Sequence, residues 1–500
     1  MNPWSLEALR GACGPSARFL TSPSPSTPAV TGLSIDSRAL SRGQAFLALR
    51  GERFDGHGFL AQAVEAGAGL LIVEPAGAAA ASAASTASAG SRTPVLVVPE
   101  TRRALGMIAA AHRRALRHTA VVAICGSNGK TTTTAMIGAV LRTTFRGTAP
   151  AKSFNNDVGV PLTVLSAALD DDFLLCEVGS NNPGEVAPLA AIVAPTIAVV
   201  TSIGREHLLG FGSIAGVVRE EASVIEHLPP HGCAVVTADS PALARHLAGL
   251  NAAAVSGTPR PRVTTFGRAA GADLRLTSCE HVVLARGGAV PCGTTAGALP
   301  DGVRFTIEGT ATPFELPTVG EHNALNALAA IAVGRTLGLS DQAIREGLRA
   351  FTPPAMRLAR HHVRGVHVVN DAYNANPEST LAALRTFVDV HRAAARRVVV
   401  LGDNLELGDA GEAAHIEIGA AARDCGAVDL LITVGPLAAI AGAAFAPGRT
   451  LAFPDAECEN AGKVAALFVA GDAVLLKGSR RIGLERVVKA LEAAPAPVNA

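Results

Sequence analysis

Uninterrupted apolar runs, each closed by small or polar residues and followed by apolar positions three and four apart, recur along most of this chain. From Val121 they read AVVAIC before a helix from Thr131, FLLCEV before GEVAPLAAIV, TIAVVTSI before a helix from Ser213, and CAVVTA before PALARHLAGL. Buried strands alternating with amphipathic helices predict right-handed βαβ units and a mainly parallel sheet. A second alternating region starts near Val366 with VHVVND, RVVVLGD, LLITVG and AVLLKG, and predicts a separate α/β domain. Ahead of Val121, AFLAL and GLLIVE mark strands of a smaller α/β unit. Arg262 to Glu315 is rich in short β-like runs and turns, and predicts an antiparallel excursion at the end of the central region. The segment FTPPAMR (351–357) follows a helix, and its two prolines mark a hinge. Ala76 to Ser91 is almost all Ala, Ser and Gly, which predicts a low-complexity loop insertion. No internal repeat is found.

Five hundred residues exceed what one core can organise. Charges nearly cancel, with 43 basic against 42 acidic residues, so the balance gives no sign of a nucleic-acid partner. The basic clusters HRRALRH (112–118) and HRAAARR (391–397) lie in Ala-rich helical contexts and read as solvated helix faces. The eight cysteines show neither C-x-x-C pairs nor metal-type spacing, which fits a reducing cytoplasm. MNPWSLEALR lacks the basic and apolar regions of a secretory signal. The uncharged stretch Val186 to Gly204 approaches spanning length, but Pro188 and Pro195 divide it into a helix and a buried strand, so no membrane span is expected.

The loop after AVVAIC carries the clearest chemistry. A strand, a Gly-rich turn and a helix together aim backbone N–H groups and the positive end of a helix dipole at one point, where an anion belongs. Gly126, Ser127, Asn128 and Gly129 form the turn, Lys130 stands on this solvent-accessible loop to neutralise β/γ-phosphates, and the Thr131 hydroxyl, next to Thr132, is placed for a magnesium ion. The ordinary P-loop pattern would need a glycine at Ile124, so this loop is a shorter one. GxxGK alone also describes a plain strand-to-helix turn; the strand before it and KTTTT after it favour nucleotide binding. Glu177 ends FLLCEV and His207 follows TIAVVTSI, so both fall at the carboxyl edge of a parallel sheet, where ligands of α/β folds bind. Taken singly, they would read as a surface carboxylate and a loop histidine.

With GSNGKT, EVGSNNPGE, HLLGFGS, GEHNALNALAA, PPAMR and NDAYNANPES in this order, the chain resembles the Mur ligase family from about residue 30 to 490. DSRAL, LRGERFDGHGF, SFNNDVGVPLTVL, DAYNANP and LGDNLELG are most similar to its D-alanyl-D-alanine-adding branch. The resemblance implies a three-domain α/β fold: an N-terminal UDP-substrate-binding domain (1–118), a central P-loop ATP-binding domain (119–352) and a Rossmann-like domain for the incoming dipeptide (353–500). It implies an ATP- and Mg²⁺-dependent peptide ligase of peptidoglycan biosynthesis, serving cell shape and division. This enzyme would act as a cytoplasmic monomer, joining D-alanyl-D-alanine to UDP-N-acetylmuramoyl-tripeptide through an acyl phosphate. The alternatives are a sister ligase such as folylpolyglutamate synthase, or a nucleotide-binding scaffold without catalysis.

Carried over position by position, the resemblance implies Thr131 and Glu177 on one magnesium and His207 on the other. It puts Asn323 and Asn326 by the adenine, and Arg357 and Asp371 at phosphate and ribose. Ser34, Asp36, Ser37 and Arg38 match the uridine-diphosphate segment, and Asn155, Asn156 and Asp157 the substrate-facing loop. Tyr373, the chain's only tyrosine, lies with Asn374 and Asn376 in the last domain's substrate segment, although YNANP is also a good turn sequence. Lys477, Ser479 and Arg480 either meet the dipeptide or form a solvent-facing basic turn. One position departs from the family: the helix after His207 usually carries a carbamoylated lysine that helps to hold the second magnesium. No lysine lies between Lys152 and Lys463, and the position falls on Glu221, which would ligate the metal directly or through water. Neighbouring Glu220 points about 100° away on the same helix.

Overall fold

The computed structural model describes residues 4–24, 27–51, 54–86, 92–253, 260–285, 288–291 and 299–493. Three sheets organise them. In the first, the strand order is Arg18–Phe19, Val95–Val97, Leu70–Val73, Ala45–Leu47, Leu33–Ser34, and all pairs but the first are parallel. The last sheet runs Ala359–Val363, Val366–Asp371, Asp472–Lys477, Arg396–Gly402, Leu430–Val434, Thr450–Phe453, and again only the first pair is antiparallel.

The central sheet places Ala120–Cys125 between Phe173–Glu177 and Ile197–Val200, with Gly147–Thr148 beyond the former and Cys233–Thr237 and Arg262–Gly267 beyond the latter. All of these neighbours are parallel. The antiparallel excursion begins later than the turn content of Arg262 to Glu315 suggests. Arg262–Gly267 still pairs parallel on both sides, and antiparallel pairing starts only at Leu276, against Gly302–Ile307.

The unbroken apolar runs have a simple cause: each strand feeds two cores, one on each face, because successive side chains alternate. In the central sheet Val122, Ile124, Leu175 and Val199 pack against the helices Lys130–Leu141 and Glu321–Thr336. Val121, Ala123, Leu174 and Val200 pack on the other side, against Val186–Val193 and Ile214–Ala222. The last sheet divides likewise, with Val399 and Leu401 on one side and Val398 and Val400 on the other. So does the first, with Leu70 and Ile72 against Leu71 and Val73.

Three expectations change. Ala78–Ser85, inside the stretch read as a loop insertion, is a helix whose Ala81 is fully buried under the first sheet; residues 87–91 lie outside the described part. Alanine has high helix propensity, and a methyl group is enough to pack against a strand. The basic cluster 112–118 is only partly solvated. His112 is buried, and Arg113 donates to the carbonyls of Val193 (2.8 Å), Ala194 (2.8 Å) and Leu116 (3.1 Å), closing the end of the helix Val186–Val193. Arg114, Arg117 and His118 remain exposed. In the second cluster His391 is buried, and Arg396 makes a bidentate pair with the buried Asp472 at 2.9 and 2.6 Å. The stretch from Val186 resolves into the helix Val186–Val193 and the strand Ile197–Val200, and among the described residues no helix is long and apolar enough to cross a membrane.

Candidate active site

The carboxyl ends of the central strands, the first turn of Glu321–Thr336 and the amino end of the last sheet's helix Pro377–Val390 enclose a cleft of about 1070 Å³. At its floor Gly126 adopts φ +120° and Gly129 +84°, conformations that favour glycine. A Cβ at Gly129 would lie 2.3 Å from Asn326 Oδ1, which fixes how closely the loop meets the asparagine helix. The first three loop amides are already engaged. Gly126 N–H donates to Glu221 Oε2 (2.6 Å), Ser127 N–H to the Ser202 carbonyl (2.8 Å), and Asn128 N–H to Ser202 Oγ (2.8 Å). The donors left for an anion are the Gly129 amide and those of the first helical turn from Lys130 on, which an α-helix cannot satisfy internally.

Lys130 is more enclosed than a solvent-accessible loop implies, with 15% of its side chain exposed. Its ammonium donates to the Gly126 carbonyl and lies 3.8 Å from Glu206 Oε2. Burial alone would lower its pKa, but the carboxylates of Glu206, Glu221 and Glu177 outweigh that and raise it. Glu206 escaped the sequence reading. Its only signal there is a charged residue beside His207 in a polar loop.

Glu177 is buried at the end of its strand; Oε1 accepts from Asn155 Nδ2 (3.2 Å), while Oε2 has no partner. Glu206 is 7% exposed and its Oε1 likewise lacks a partner. Both line the cleft. Buried carboxylate oxygens without partners are costly, and their donor chemistry suits a hard cation. Among the described residues no three His, Cys, Asp or Glu side chains form a ready-made metal cage. That suits Mg²⁺, which is usually held by one or two carboxylates together with substrate phosphates and water. The Thr131 hydroxyl contacts Ser153 Oγ (3.0 Å) and accepts from Arg357 Nη2 (2.8 Å). His207 lines the cleft at φ +47° and pairs through Nδ1 with Glu406 of the last sheet's unit.

Glu221 lies elsewhere than the metal role would put it. It is 0% exposed, sits behind the loop with Oε2 on Gly126 N–H, and is not among the residues lining the cleft. A glutamate on this packed helix is too short to pass the loop backbone. Burial pushes its carboxyl up, against the pull of Lys130 and the Gly126 amide. Glu220 is fully used, accepting from the amides of Gly184 (2.7 Å), Glu185 (2.8 Å) and Val186 (2.7 Å) at the start of Val186–Val193.

Asn323 and Asn326 occupy the first turns of their helix and line the cleft; Asn323 Nδ2 donates to the Val319 carbonyl (2.7 Å). Arg357 sits between Met356 (φ +57°) and Leu358 (φ +52°), and its guanidinium lies 4.4 Å over the Tyr373 ring. Asp371 and Lys477 are register partners at neighbouring strand ends. Lys477 is buried, 2.8 Å from Asp371 Oδ2, and donates to the Asn374 carbonyl (2.7 Å), which excludes a solvent-facing turn for it. Ser479 is buried and accepts from Leu405 N–H, while Arg480 is exposed. Asn376 caps Pro377–Val390 and donates to Asn128 Oδ1 across the cleft (2.8 Å). Arg205 spans the same seam, bonding Glu378 (2.6 Å) and Glu417 (2.7 Å).

Asn155, Asn156 and Asp157 line the cleft; Asn156 Oδ1 also accepts from Gly159 N–H (2.8 Å), and Asp157 pairs with Arg102 (2.6 Å). Ser34, Asp36, Ser37 and Arg38 do not line it. Ser34 ends the first sheet's edge strand and the other three form the turn after it, half-buried except for the exposed Arg38, which grips Asp36 at 2.9 and 2.8 Å and holds that carboxyl down at about 2.

Three family models cover most of the chain: the Mur ligase family catalytic domain over residues 29–113, the Mur ligase middle domain over 124–334, and the Mur ligase glutamate ligase domain over 356–480. The UDP-N-acetylmuramoyl-tripeptide--D-alanyl-D-alanine ligase of Bacillus subtilis is 33% identical over 95% of this chain and 96% of its own. The chain belongs to the Mur ligase family. The crystal structure of MurF from Acinetobacter baumannii superposes with a TM-score of 0.81 at 28% identity, covering 98% of this chain and 99% of the other. MurF ligase from Thermotoga maritima, solved in complex with ADP, shares the fold with a TM-score of 0.71 at 24% identity, covering 92% and 97%. In this Mur ligase the P-loop element, the buried carboxylates and the asparagine helix meet at one cleft, as the order of motifs implies, whereas the Ser34 to Arg38 turn stands apart from it.

Proposed function

We propose that this Mur ligase uses ATP to join D-alanyl-D-alanine to the terminal carboxylate of UDP-N-acetylmuramoyl-tripeptide, in the cytoplasm and as a monomer. The observation that carries the reading is its match, over 95% of its length, to a ligase named for that reaction. A cleft whose polar groups suit a nucleotide and a carboxylate supports it.

A carboxylate is a poor electrophile, and its attack on a γ-phosphate brings two anions together. The free amides of the first helical turn and the Lys130 ammonium neutralise the phosphates in an enclosed site, where such contacts are stronger than in water. Bound Mg²⁺ would supply further neutralisation and hold the reactants in line; Glu177 and His207 fit that role, with Thr131 once its hydroxyl is free of Arg357. Arg357 is placed to turn to phosphate, Asp371 to ribose, and Asn323 and Asn326 to adenine. Asn155 to Asp157 face the tripeptide end, Ser34 to Arg38 take the uridine diphosphate, and Tyr373, Asn374 and Asn376 meet the dipeptide. The dipeptide amine attacks the acyl phosphate and phosphate leaves. Contacts across the seam exclude water from that intermediate.

Sustained ADP release is expected only when UDP-N-acetylmuramoyl-tripeptide and D-alanyl-D-alanine are both present. Release driven by a folate and glutamate would favour the synthase reading, and ATP binding without release a scaffold. Because no lysine between Lys152 and Lys463 can be carbamoylated, the rate is expected to be the same in carbonate-free buffer as with added bicarbonate. Stimulation by bicarbonate would contradict this.

A further inference from the structure

We propose that Glu206 supplies the carboxylate for the second divalent cation in this chain, and that Glu221 acts from behind the P-loop as the residue that positions it. The inference rests on the ligase reading above and concerns how this particular site is built.

Where a family lysine would extend a carbamate into the cleft, this chain has a shorter acid whose outer oxygen is already held by a backbone amide at 2.6 Å. A hydrogen bond from an amide to an ionised carboxylate is among the stronger ones, and breaking it to turn Glu221 outward would also disturb Gly126. The helix therefore brings no carboxylate into the cleft. The loop after Ile197–Val200 does, at Glu206, immediately before His207.

Two independent features point to a cation there. Glu206 is more than nine-tenths buried with Oε1 unpartnered, and Glu177, buried deeper still and lining the same cleft, has Oε2 unpartnered; Glu221 Oε1 also lacks a hydrogen-bond partner, but Glu221 does not line the cleft. In addition, the side chains of Glu206 and Glu221 adjoin, so with Glu177 three acids surround the single Lys130 ammonium. An arriving nucleotide would draw Lys130 toward its phosphates and away from Glu206 Oε2, which it now faces at 3.8 Å. A divalent cation would take the place on Glu206 that the ammonium leaves. Glu221, fixed to the Gly126 amide, then serves as the wall that keeps Glu206 turned into the cleft.

The test is Mn²⁺ binding, followed by electron paramagnetic resonance, to the full chain with a non-hydrolysable ATP analogue and UDP-N-acetylmuramoyl-tripeptide. In Glu206→Gln the first cation is expected to stay and the second to weaken by at least about tenfold, with nucleotide affinity and circular dichroism unchanged. Glu206→Asp should recover part of the loss. Glu221→Gln keeps an oxygen for the Gly126 amide and should hold both cations. Wild-type Mn²⁺ binding by Glu206→Gln would overturn the proposal, as would loss of the second cation in a folded Glu221→Gln alone. Should Glu206→Gln fail to fold, Glu206→Asp decides: weakened binding of the second cation supports the proposal, and unchanged binding overturns it. ADP release by the wild type with both substrates is scored separately, so failure here leaves the ligase reading standing and failure there is seen on its own.

Discussion

Lys130→Ala is expected to lower turnover by about a thousandfold or more, because phosphoryl transfer depends on charge placed in advance around the transferring group. Within the loop no second cation can replace it: Arg357 reaches the Thr131 hydroxyl from the far side of the cleft. The enclosure of Lys130 adds an effect that a solvent-accessible loop would not show. The variant leaves Glu177, Glu206 and Glu221 without their ammonium and removes the donor to the Gly126 carbonyl, so thermal stability should fall at neutral pH. The sign with pH follows from the raised carboxyls of Glu206 and Glu221. A group whose folded-state pKa lies above its unfolded value favours the fold while it is protonated, and loses that contribution as pH rises through the folded pKa. The stability deficit should therefore shrink as the pH is lowered toward the ordinary glutamate range. Steady-state ADP release with melting curves at several pH values checks both parts, and near-normal ligation by a folded Lys130→Ala chain would refute the role given to the lysine.

Gly126→Ala should be nearly as damaging to nucleotide binding, for a reason of shape alone. A methyl group there would lie 2.3 Å from Thr201 Oγ1 and 2.8 Å from Thr201 N, on a backbone at φ +120°. Neither neighbour is free to yield: Thr201 N–H donates to the Cys125 carbonyl (3.0 Å) and its hydroxyl to the Asn128 carbonyl (2.6 Å). The dihedral strain alone is about 1–3 kcal/mol, and a loop displaced by about 1 Å costs on the order of a hundredfold in positioning. Titration of ATP against the folded variant should show that loss. Gly462→Ala, on a helix where a Cβ would meet nothing within 4 Å, is the control, expected to be neutral or to gain about 0.4–1 kcal/mol. A Gly126→Ala chain with wild-type nucleotide affinity would show that the loop is softer than its contacts indicate.

The strands were legible because their environment is symmetric. A strand covered on both faces needs apolar side chains at every position, and runs such as AVVAIC and FLLCE admit few other readings. Ala78–Ser85 was illegible for the opposite reason, since alanine and serine alone do not distinguish a thin packed helix from a flexible insertion. The cleft divides in the same way. Lys130, Glu177, Asn323 and Asn326 sit at strand ends and helix starts, whose place follows from topology. Glu206 and Glu221 were harder, because which carboxylate enters the cleft depends on the packing of one helix behind one loop. The contact between Asn376 and Asn128 spans 248 residues, and no local pattern could have announced it.

The division of each sheet's side chains between two apolar faces bears on how the molecule would come apart. The first and central sheets share apolar packing through the helix Thr101–Ala115 and through Val158, Leu162 and Leu165, whereas the central and last sheets have largely separate cores, with Val319 the central residue that enters the last one, and the junction between them carries charged and amide contacts: Arg205 on Glu378 and Glu417, Asn376 on Asn128, Arg357 on Thr131. Polar junctions of this kind couple their two sides weakly compared with a shared core. Heat or denaturant is therefore expected to act on two semi-independent cooperative units, the last sheet's and the remainder, and a single melting temperature describes neither. A ligand that touches both sides of the junction acts as the mortar, tying the units into one transition.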